Sequence, residues 1–312
     1  MARSGARGRR RGLIRVSFRD RVLEDLLPRC SFPERDHLQC AVSGGADSAA
    51  LLILAAATGC RVTAYHVDHG LRSESGAEAA RVAVLAEAVG AEMRCIEVEV
   101  GDGANLEARA RAARYGVLPD GILVGHTADD LAETVLLQLF RGGALDALAS
   151  MDPGDRSGAS VVRPLLSLRR SETEAVCAAF GYEPVQDEWN QDERFARVRI
   201  RAEVLPLLED VMGRDPVPLL GRAARLARDE RDLIEQLAEG IDPTDVRALR
   251  TAPRALARRA VRSWLRDEYP PDAAAVDRVL DVALGLRQAT EVGGSGRVAR
   301  TGGRLRIEGP SR

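Results

Sequence analysis

The chain has 312 residues, of which 45 % are hydrophobic and 29 % charged, and its formal net charge is −2. This length favours two domains, and this balance is typical of a soluble protein with a buried core. A net charge so close to zero excludes nucleic acid binding through an overall positive field, so such binding needs local basic patches. No apolar run approaches the ~18 residues that span a bilayer, so we expect a cytoplasmic protein without membrane association.

Lysine is absent, because all 45 basic residues are arginine. This excludes Schiff-base chemistry and a Walker A phosphate loop, both of which require a lysine. The five cysteines, at positions 30, 40, 60, 95 and 177, form no C-x-x-C pair. Zinc and iron–sulfur sites therefore have no support, and we interpret the cysteines as small buried residues.

Residues 1–17 carry six arginines and no acidic residue, which predicts a basic, disordered arm that is either solvated or phosphate-binding. Strands and helices then alternate up to residue 212. The predicted strands are 37–42, 62–67, 93–100, 121–124 and 161–165, and the predicted helices are 19–27, 47–57, 74–89, 106–117, 129–141 and 171–180. This alternation predicts βαβ units, and hence an α/β fold with a doubly wound parallel sheet over residues 18–212.

The pattern changes after Glu203. Pro206, followed by the stretch 212–218 with one glycine and two prolines, predicts a domain boundary. Helices are predicted at 219–239, 252–268 and 274–285, with arginines repeated along them. Residues 296–308 alternate around Gly302–Gly303 and predict a terminal β-hairpin. Residues 213–312 should therefore form a smaller, mainly helical domain.

The strongest motif is S-G-G-A-D-S at Ser43–Ser48, between a predicted strand and a helix. Its glycines permit a tight turn, and the N–H groups at the helix start can hold phosphate oxygens. Asp47 beside a phosphate implies a bridging Mg²⁺; the alternative is an ordinary turn with an aspartate cap. The hexapeptide resembles the signature of the PP-loop ATP-pyrophosphatases, which split ATP between its α- and β-phosphates and adenylate a substrate oxygen.

Three further motifs are H-V-D-H-G-L-R at His66–Arg72, A-R-A-A-R-Y at 110–115 and G-H-T-A-D-D-L-A-E-T at Gly125–Thr134. Each also has a plain structural interpretation: a core histidine, a helix-surface ion pair, or carboxylates that suit a helix N-terminus. Periodicity places Asp130 and Glu133 on the face of their helix opposite its apolar stripe. Together the motifs resemble the lysidine synthetases within the PP-loop superfamily, over most of residues 38–210. R-P-L-L at 163–166 adds to the resemblance, whereas Trp189 and Val198 depart from it.

The resemblance implies ATP-dependent ligation of free lysine to the wobble cytidine of tRNA(Ile), with Mg²⁺ and no protein partner. The residues that it assigns to ATP are Ser43, Gly44, Gly45, Ala46, Asp47, Ser48, His66 and Asp68. The residues that it assigns to catalysis are Asp47, Arg111 and His126, and those assigned to lysine are Asp130 and Glu133. The candidate tRNA contacts are Arg72, Arg197, Arg201, Arg222 and Arg225, for which a solvated basic face is the alternative.

Two carboxylates on one helix face repel each other unless a cation lies between them, and the chain has no lysine to supply it. We therefore expect substrate lysine to fill a vacant cation position, and the Glu133→Gln change to weaken lysine binding without lowering thermal stability. The competing function is a tRNA thiolase of the same superfamily, which requires cysteine chemistry that these cysteines do not support. A nucleotide-binding protein without catalysis is a second alternative, and it would not need both polar clusters.

Overall fold

The computed structural model of the chain describes residues 18–68, 75–98, 109, 113, 115–151, 153–154, 161–185, 196–266, 271–293 and 296–308. The predictions on the arm 1–17 and on Arg72, Arg111 and Trp189 lie outside these ranges. The chain divides into two compact units: residues up to Gly142 with Ser150–Arg222, and Gly143–Ala149 with Ala223–Arg312. The sequence predicted the boundary after residue 212, whereas this division follows residue 222.

The first unit contains a five-stranded parallel sheet with strand order β3-β2-β1-β4-β5. Its strands are β1 His37–Ala41, β2 Arg61–Asp68, β3 Glu92–Glu97, β4 Ile122–Leu123 and β5 Val161–Val162. The helices up to residue 179 are α1 Phe18–Leu26, α2 Ala46–Ala57, α3 Ser75–Ala88, α4 Ala128–Phe140, α5 Leu145–Leu148 (in the second unit) and α6 Arg170–Ala179. The described residues 109, 113 and 115–117 are also helical. The predicted doubly wound α/β fold is confirmed.

Helix α2 is apolar around its whole circumference and is buried over Ser48–Ala55, as expected for a helix covered on all sides. The core that surrounds it includes Leu38 of β1, Val62 of β2 and Val176 of α6. The strand order reverses between β1 and β4, because the chain builds β2 and β3 on one side before crossing to the other. Open α/β sheets bind ligands at the carboxyl ends of the strands that flank such a reversal.

A further helical segment, residues 196–212, completes the first unit. Helix α7 (Ala196–Arg199) runs through a π-helical turn, Ile200–Val204, into α8 (Leu205–Met212). Pro206 lies in the first turn of α8 and has no N–H to bond to the carbonyl four residues earlier, which accounts for the widened turn. This segment packs against α4, with Ile200 and Leu205 in contact with the cluster that contains Ala132 and Leu136.

The second unit combines helices with a small antiparallel sheet. Its remaining helices are α9 Val217–Glu239 (which begins in the first unit), α10 Val246–Thr251, α11 Arg254–Trp264 and α12 Ala273–Leu284, and its strands are β6 Ala289–Val292, β7 Gly296–Thr301 and β8 Arg304–Glu308, in the order β6-β7-β8. Gly302 and Gly303 have φ values of +56° and +77° and form the predicted two-residue turn. The described helices include none that is both long and apolar enough to cross a membrane.

Two predictions for the second unit were incomplete. The predicted helix 252–268 is preceded by a separate helix, α10, because Pro253 forces Ala252 into an extended conformation (ψ 148°) and starts a new helix. The predicted terminal hairpin gains a third strand, β6, which pairs with β7 through Ala289 and Ala299.

Candidate functional site

The phosphate-loop motif forms the turn between β1 and α2. Gly44 has a φ of +93°, and its carbonyl oxygen accepts hydrogen bonds from the Tyr182 hydroxyl (2.9 Å) and the Val185 N–H (3.0 Å). A Cβ on Gly44 would lie 3.0 Å from Val185 Cγ2, so both conformation and space disfavour a side chain there. The tight turn lets α2 begin at Ala46, where the first N–H groups have no partner within the helix and can bind an anion.

The two serines of the loop differ in their environment. Ser48 is buried, and its hydroxyl donates to the Gly45 carbonyl oxygen over 2.9 Å. The same Oγ lies 3.2 Å from both the backbone nitrogen and the Oγ of Ser43, which is exposed. Ser48 therefore holds the turn together, while Ser43 lies where a phosphate can approach.

The glycine of the G-H-T-A-D-D motif brings β4 against the phosphate loop. A Cβ on Gly125 would lie 2.5 Å from the Asp47 carbonyl oxygen and 2.9 Å from the Ser48 nitrogen, both of which are backbone atoms. Only glycine therefore permits this approach, which places the start of α4 beside the first turn of α2. The two motifs meet at the strand-order reversal between β1 and β4.

Three carboxylates converge on one guanidinium at this point. Arg170, the first residue of α6, directs Nε toward Asp47 (3.5 Å), Nη1 toward Glu133 (3.4 Å) and Nη2 toward Asp130 (3.2 Å). Thr173, one turn further along α6, donates its hydroxyl proton to the other Asp47 oxygen over 2.5 Å. Helix α6 thus joins the carboxylate of the phosphate loop to the two carboxylates of α4.

Glu133 is fully buried, with a side-chain exposure of 0 %. Besides Arg170, it binds Arg201 through two bonds, 2.7 Å to Nε and 3.2 Å to Nη2, and its Oε2 lies 3.4 Å from Arg197 Nε. Arg197 also donates to the Thr134 hydroxyl over 2.5 Å. The π-helical segment that carries Arg201 therefore covers this face of α4 and encloses Glu133 among three guanidiniums.

One expectation about these residues was wrong. Glu133 does not lie on an open face of α4, and the cation between it and Asp130 is the Arg170 guanidinium rather than a vacancy. Arg197 and Arg201 also form ion pairs with Glu133, which the sequence did not predict, and their contact with tRNA stays a prediction. Since removing one partner of a buried ion pair is destabilising, neutralising Glu133 must also affect stability.

Asp130 has a second role as a helix cap. One of its carboxylate oxygens accepts hydrogen bonds from the Thr127 N–H (2.8 Å) and the Thr127 hydroxyl (3.0 Å), and the first of these is the side-chain half of a capping box between Thr127 and Asp130. The adjacent Asp129 binds the Arg169 side chain (2.9 Å to Nη2) and accepts from the Arg170 N–H (2.8 Å). Asp130 is thereby fixed, with its other oxygen directed toward Arg170.

Burial and charge act on the ionisation of this cluster in opposite directions. Burial raises the pKa of Asp47, and the nearby Asp130 raises it too, while the Thr173 hydroxyl and Arg170 lower it. Burial lowers the pKa of Arg170, but the carboxylates of Asp130, Glu133 and Asp47 outweigh burial and raise it overall. Arg170 is therefore fully charged, and the pKa of Asp47 lies above its ordinary value because burial outweighs its two hydrogen-bond partners.

The predicted histidines have distinct hydrogen-bonding states. His66 is buried at the end of β2, and its Nδ1 lies 2.8 Å from the Val42 carbonyl oxygen, to which it can only donate. His66 therefore holds Val42, the residue that precedes the phosphate loop, in place. Asp68 ends the same strand, two residues after His66. His126 Nδ1 accepts from Arg163 Nε over 3.2 Å, so that nitrogen carries no proton.

Arg170 and Thr173 were not among the predicted site residues. They lie 123 and 126 positions from Asp47 in the sequence, and only the fold brings them together. The available signal was the R-P-L-L block at 163–166, which ends shortly before α6 begins. The predicted Arg222 and Arg225 are exposed on α9.

Two family models and several known proteins match this chain over most of its length. Residues 18–208 match the model of a PP-loop domain, and residues 245–306 match that of a TilS substrate binding domain. The tRNA(Ile)-lysidine synthase of Nocardia farcinica is 42 % identical over 84 % of this chain and 85 % of its own. That of Mycolicibacterium paratuberculosis is 44 % identical over 72 % of this chain and 73 % of its own.

Among solved structures, a U34-tRNA thiolase from Methanococcus maripaludis superposes with a TM-score of 0.54 at 14 % identity, over 73 % of this chain and 80 % of that one, which is evidence for the fold alone. Family models and relatives together show the family that the motifs resemble. The chain belongs to the tRNA(Ile)-lysidine synthase family, ligases that form a C–N bond on tRNA.

Proposed function

We propose that this chain joins free lysine to C2 of the wobble cytidine of a tRNA(Ile) with a CAU anticodon, at the expense of ATP. The observation that carries the proposal is the convergence of Asp47, next to the phosphate loop, with Asp130 and Glu133 on a single guanidinium. A ligase that activates one substrate with ATP and attacks it with an amine needs an anion site and a cation site side by side.

In the first step the cytidine O2 attacks the α-phosphorus of ATP, the bond to the β-phosphate oxygen breaks, and pyrophosphate leaves. The N–H groups at the start of α2 and the Ser43 hydroxyl hold the phosphate charge. Arg111, which the family resemblance places in catalysis, is proposed to steady the same charge. His126 offers a donor at Nε2, since its Nδ1 accepts from Arg163.

The Asp47 carboxylate would be the protein ligand of a Mg²⁺ ion. This carboxylate is 26 % exposed, and Asp130 is close enough to raise its pKa. The described residues contain no group of three His, Cys, Asp or Glu side chains that could hold a metal ion by itself. That finding suits Mg²⁺, which binds through one or two carboxylates together with substrate phosphates. The ion would supply charge stabilisation for the leaving pyrophosphate.

In the second step the ε-amine of lysine, having lost a proton, attacks C2 of the adenylated cytidine. The C2–O2 bond breaks, AMP leaves with its oxygen, and the second amine proton is released. Asp130 and Glu133 are proposed to bind the lysine ammonium before the attack. The exposed Arg222 and Arg225 of α9 are proposed to contact the tRNA backbone, together with Arg72.

The thiolase alternative is disfavoured by the cysteines. Burial raises the pKa of Cys30 and Cys177 to about 12 and raises that of Cys40 as well, so these three remain neutral thiols at physiological pH. Sulfur transfer requires a thiolate or a cysteine-bound cluster.

Pyrophosphate release with single omissions tests the proposal. With the CAU tRNA, ATP and lysine present, both pyrophosphate and AMP should accumulate in equal amounts. Omission of tRNA should stop both products, and omission of lysine should stop AMP release after the adenylated tRNA has formed. Equal pyrophosphate release without tRNA would contradict the proposal.

A further inference from the structure

Arg170 occupies the position that substrate lysine needs. Its Nη1 and Nη2 bind the two carboxylates proposed for the lysine ammonium, Glu133 at 3.4 Å and Asp130 at 3.2 Å. The Glu133 side chain has no exposed surface, and the Asp130 oxygen that does not cap α4 is directed toward Arg170, so this arrangement leaves no room for an ammonium between the two carboxylates. For lysine to bind there, Arg170 must first move.

The contacts of Arg170 are longer than those of its neighbour. Its three side-chain bonds measure 3.2, 3.4 and 3.5 Å, whereas Arg201 binds Glu133 through two bonds of 2.7 and 3.2 Å. Charge-assisted bonds with good geometry are about 2.7–2.9 Å long. Arg170 is therefore shared among three carboxylates without a bond of optimal length to any of them, while Arg201 forms both of its bonds with Glu133.

Arg170 is also the cation of this cluster that reaches the phosphate loop. Its Nε points to Asp47, the second residue of α2, and its side chain is 22 % exposed. A bound triphosphate places several negative charges next to this end of the guanidinium, and arginine binds phosphate oxygens in pairs. Nucleotide thus offers Arg170 a better set of acceptors than the one it has.

We propose that Arg170 occupies the lysine subsite in the free protein and transfers to the phosphates when ATP binds, which opens Asp130 and Glu133 to lysine. This inference rests on the lysine assignment proposed above. It gives Arg170 a positioning role that orders the reaction, because the amine enters only a site in which ATP is already present. Arg201 remains on Glu133 in both states and keeps this buried carboxylate paired.

The test is lysine binding measured by calorimetry on the full chain without tRNA, with and without an ATP analogue whose α,β-bridge is a methylene group and resists cleavage. In the unaltered protein the analogue should lower the Kd for lysine by about 10-fold or more, within the usual range of coupling between two sites. By linkage, lysine should lower the Kd of the analogue by the same factor. This reciprocal measurement needs no variant.

Two substitutions at Arg170 and one control identify the residue responsible. Arg170→Gln should bind lysine without nucleotide nearly as well as the unaltered protein does with it, and the analogue should change its lysine Kd by less than about 2-fold, below the coupling typical of linked sites. Arg170→Lys keeps a charge near the carboxylates but cannot span all three, and should reduce the coupling as well. The control Arg169→Gln removes the adjacent guanidinium, which binds Asp129 and Asp215 and none of the three carboxylates held by Arg170, and should retain the full coupling.

The outcomes separate this inference from the function on which it rests. Lysine binding with no coupling in the unaltered protein, or full coupling in a folded Arg170→Gln variant, would overturn the role of Arg170 and leave the ligase proposal standing. Should Arg170→Gln fail to fold, the reciprocal coupling and Arg170→Lys decide the matter. Failure of lysine to bind under any condition, tRNA included, would overturn both.

Discussion

Replacing Glu133 with glutamine removes one negative charge from a fully buried position and keeps the volume of the side chain. Three guanidiniums lose their shared counterion: Arg201, bound at 2.7 and 3.2 Å, and Arg170 and Arg197, both at 3.4 Å. The substitution therefore tests the stability of the first unit and the proposed lysine subsite together.

The expected loss of stability depends on two facts: Glu133 is fully buried, whereas its arginine partners are partly exposed. Removing one partner of a fully buried ion pair costs about 3–5 kcal/mol. The three arginines are 22–36 % exposed and keep some contact with water, so the cost should be lower, about 2–3 kcal/mol. For a unit of this size that loss corresponds to a fall in Tm of about 5–10 °C.

Differential scanning calorimetry measures the Tm, and Glu203→Gln is the matched control. Glu203 also pairs with an arginine, Arg199 at 2.8 Å, but the two side chains are 51 % and 60 % exposed. Its replacement should change stability by less than about 0.5 kcal/mol. In the kinetic assay Glu133→Gln should raise the KM for lysine by about one to two orders of magnitude, while adenylation of the tRNA continues. A Tm equal to that of the control would refute the ion-pair account, and an unchanged KM for lysine would refute the subsite.

Three other predictions concern the loop and the tRNA surface. Thr173→Val removes the hydroxyl that lowers the pKa of Asp47, so that pKa rises further and the acid limb of pyrophosphate release should move to higher pH, whereas Thr173→Ser should keep the original profile. An unshifted limb in the valine variant would show that Asp47 ionisation does not limit the reaction. Gly125→Ala places a Cβ 2.5 Å from the Asp47 carbonyl oxygen, so it should lower the free energy of unfolding by about 1–3 kcal/mol and raise the KM for ATP. An unchanged free energy of unfolding and an unchanged KM would contradict this prediction. Arg225→Gln should weaken tRNA binding and leave the affinity for ATP unchanged. It should also reduce the steepness of log K for tRNA against log salt by roughly 0.9. A slope equal to that of the unaltered protein would show that Arg225 is a solvated residue without a tRNA contact.

The sheet and its helices could be predicted from sequence because their signals are local. The first strand was predicted at 37–42 and the following helix at 47–57, against His37–Ala41 and Ala46–Ala57 in the structure. The helix is buried over Ser48–Ala55 and has a continuous apolar sequence, the strand alternates between buried and half-buried residues, and Gly44–Gly45 marks the turn between them. The short α10 and the strand β6 escaped prediction, although Pro253 carried the signal for the break before α11.

The candidate site was predictable only in part, because its polar contacts join distant segments. Helical periodicity correctly grouped Asp130 with Glu133, but it could not show that Arg201 would cover that face of α4 from a π-helical turn 68 positions away. The same limit hid Arg170, whose role depends on where α6 begins relative to α2 and α4. Periodicity shows which side of a helix is apolar. Whether a charged residue on the other side becomes buried depends on the segment that packs over it and on the opposite charges that this segment supplies.

Mass spectrometry of the wobble nucleoside tests the proposed function most directly. A CAU-anticodon tRNA(Ile) transcript is incubated with the protein, ATP and isotope-labelled lysine, then digested to nucleosides. We expect a cytidine derivative that is heavier by one lysine less one water, carries the label, appears only at the wobble position and requires ATP. A wobble cytidine that stays unmodified in the presence of active, folded protein, or one that gains sulfur instead of lysine, would contradict it.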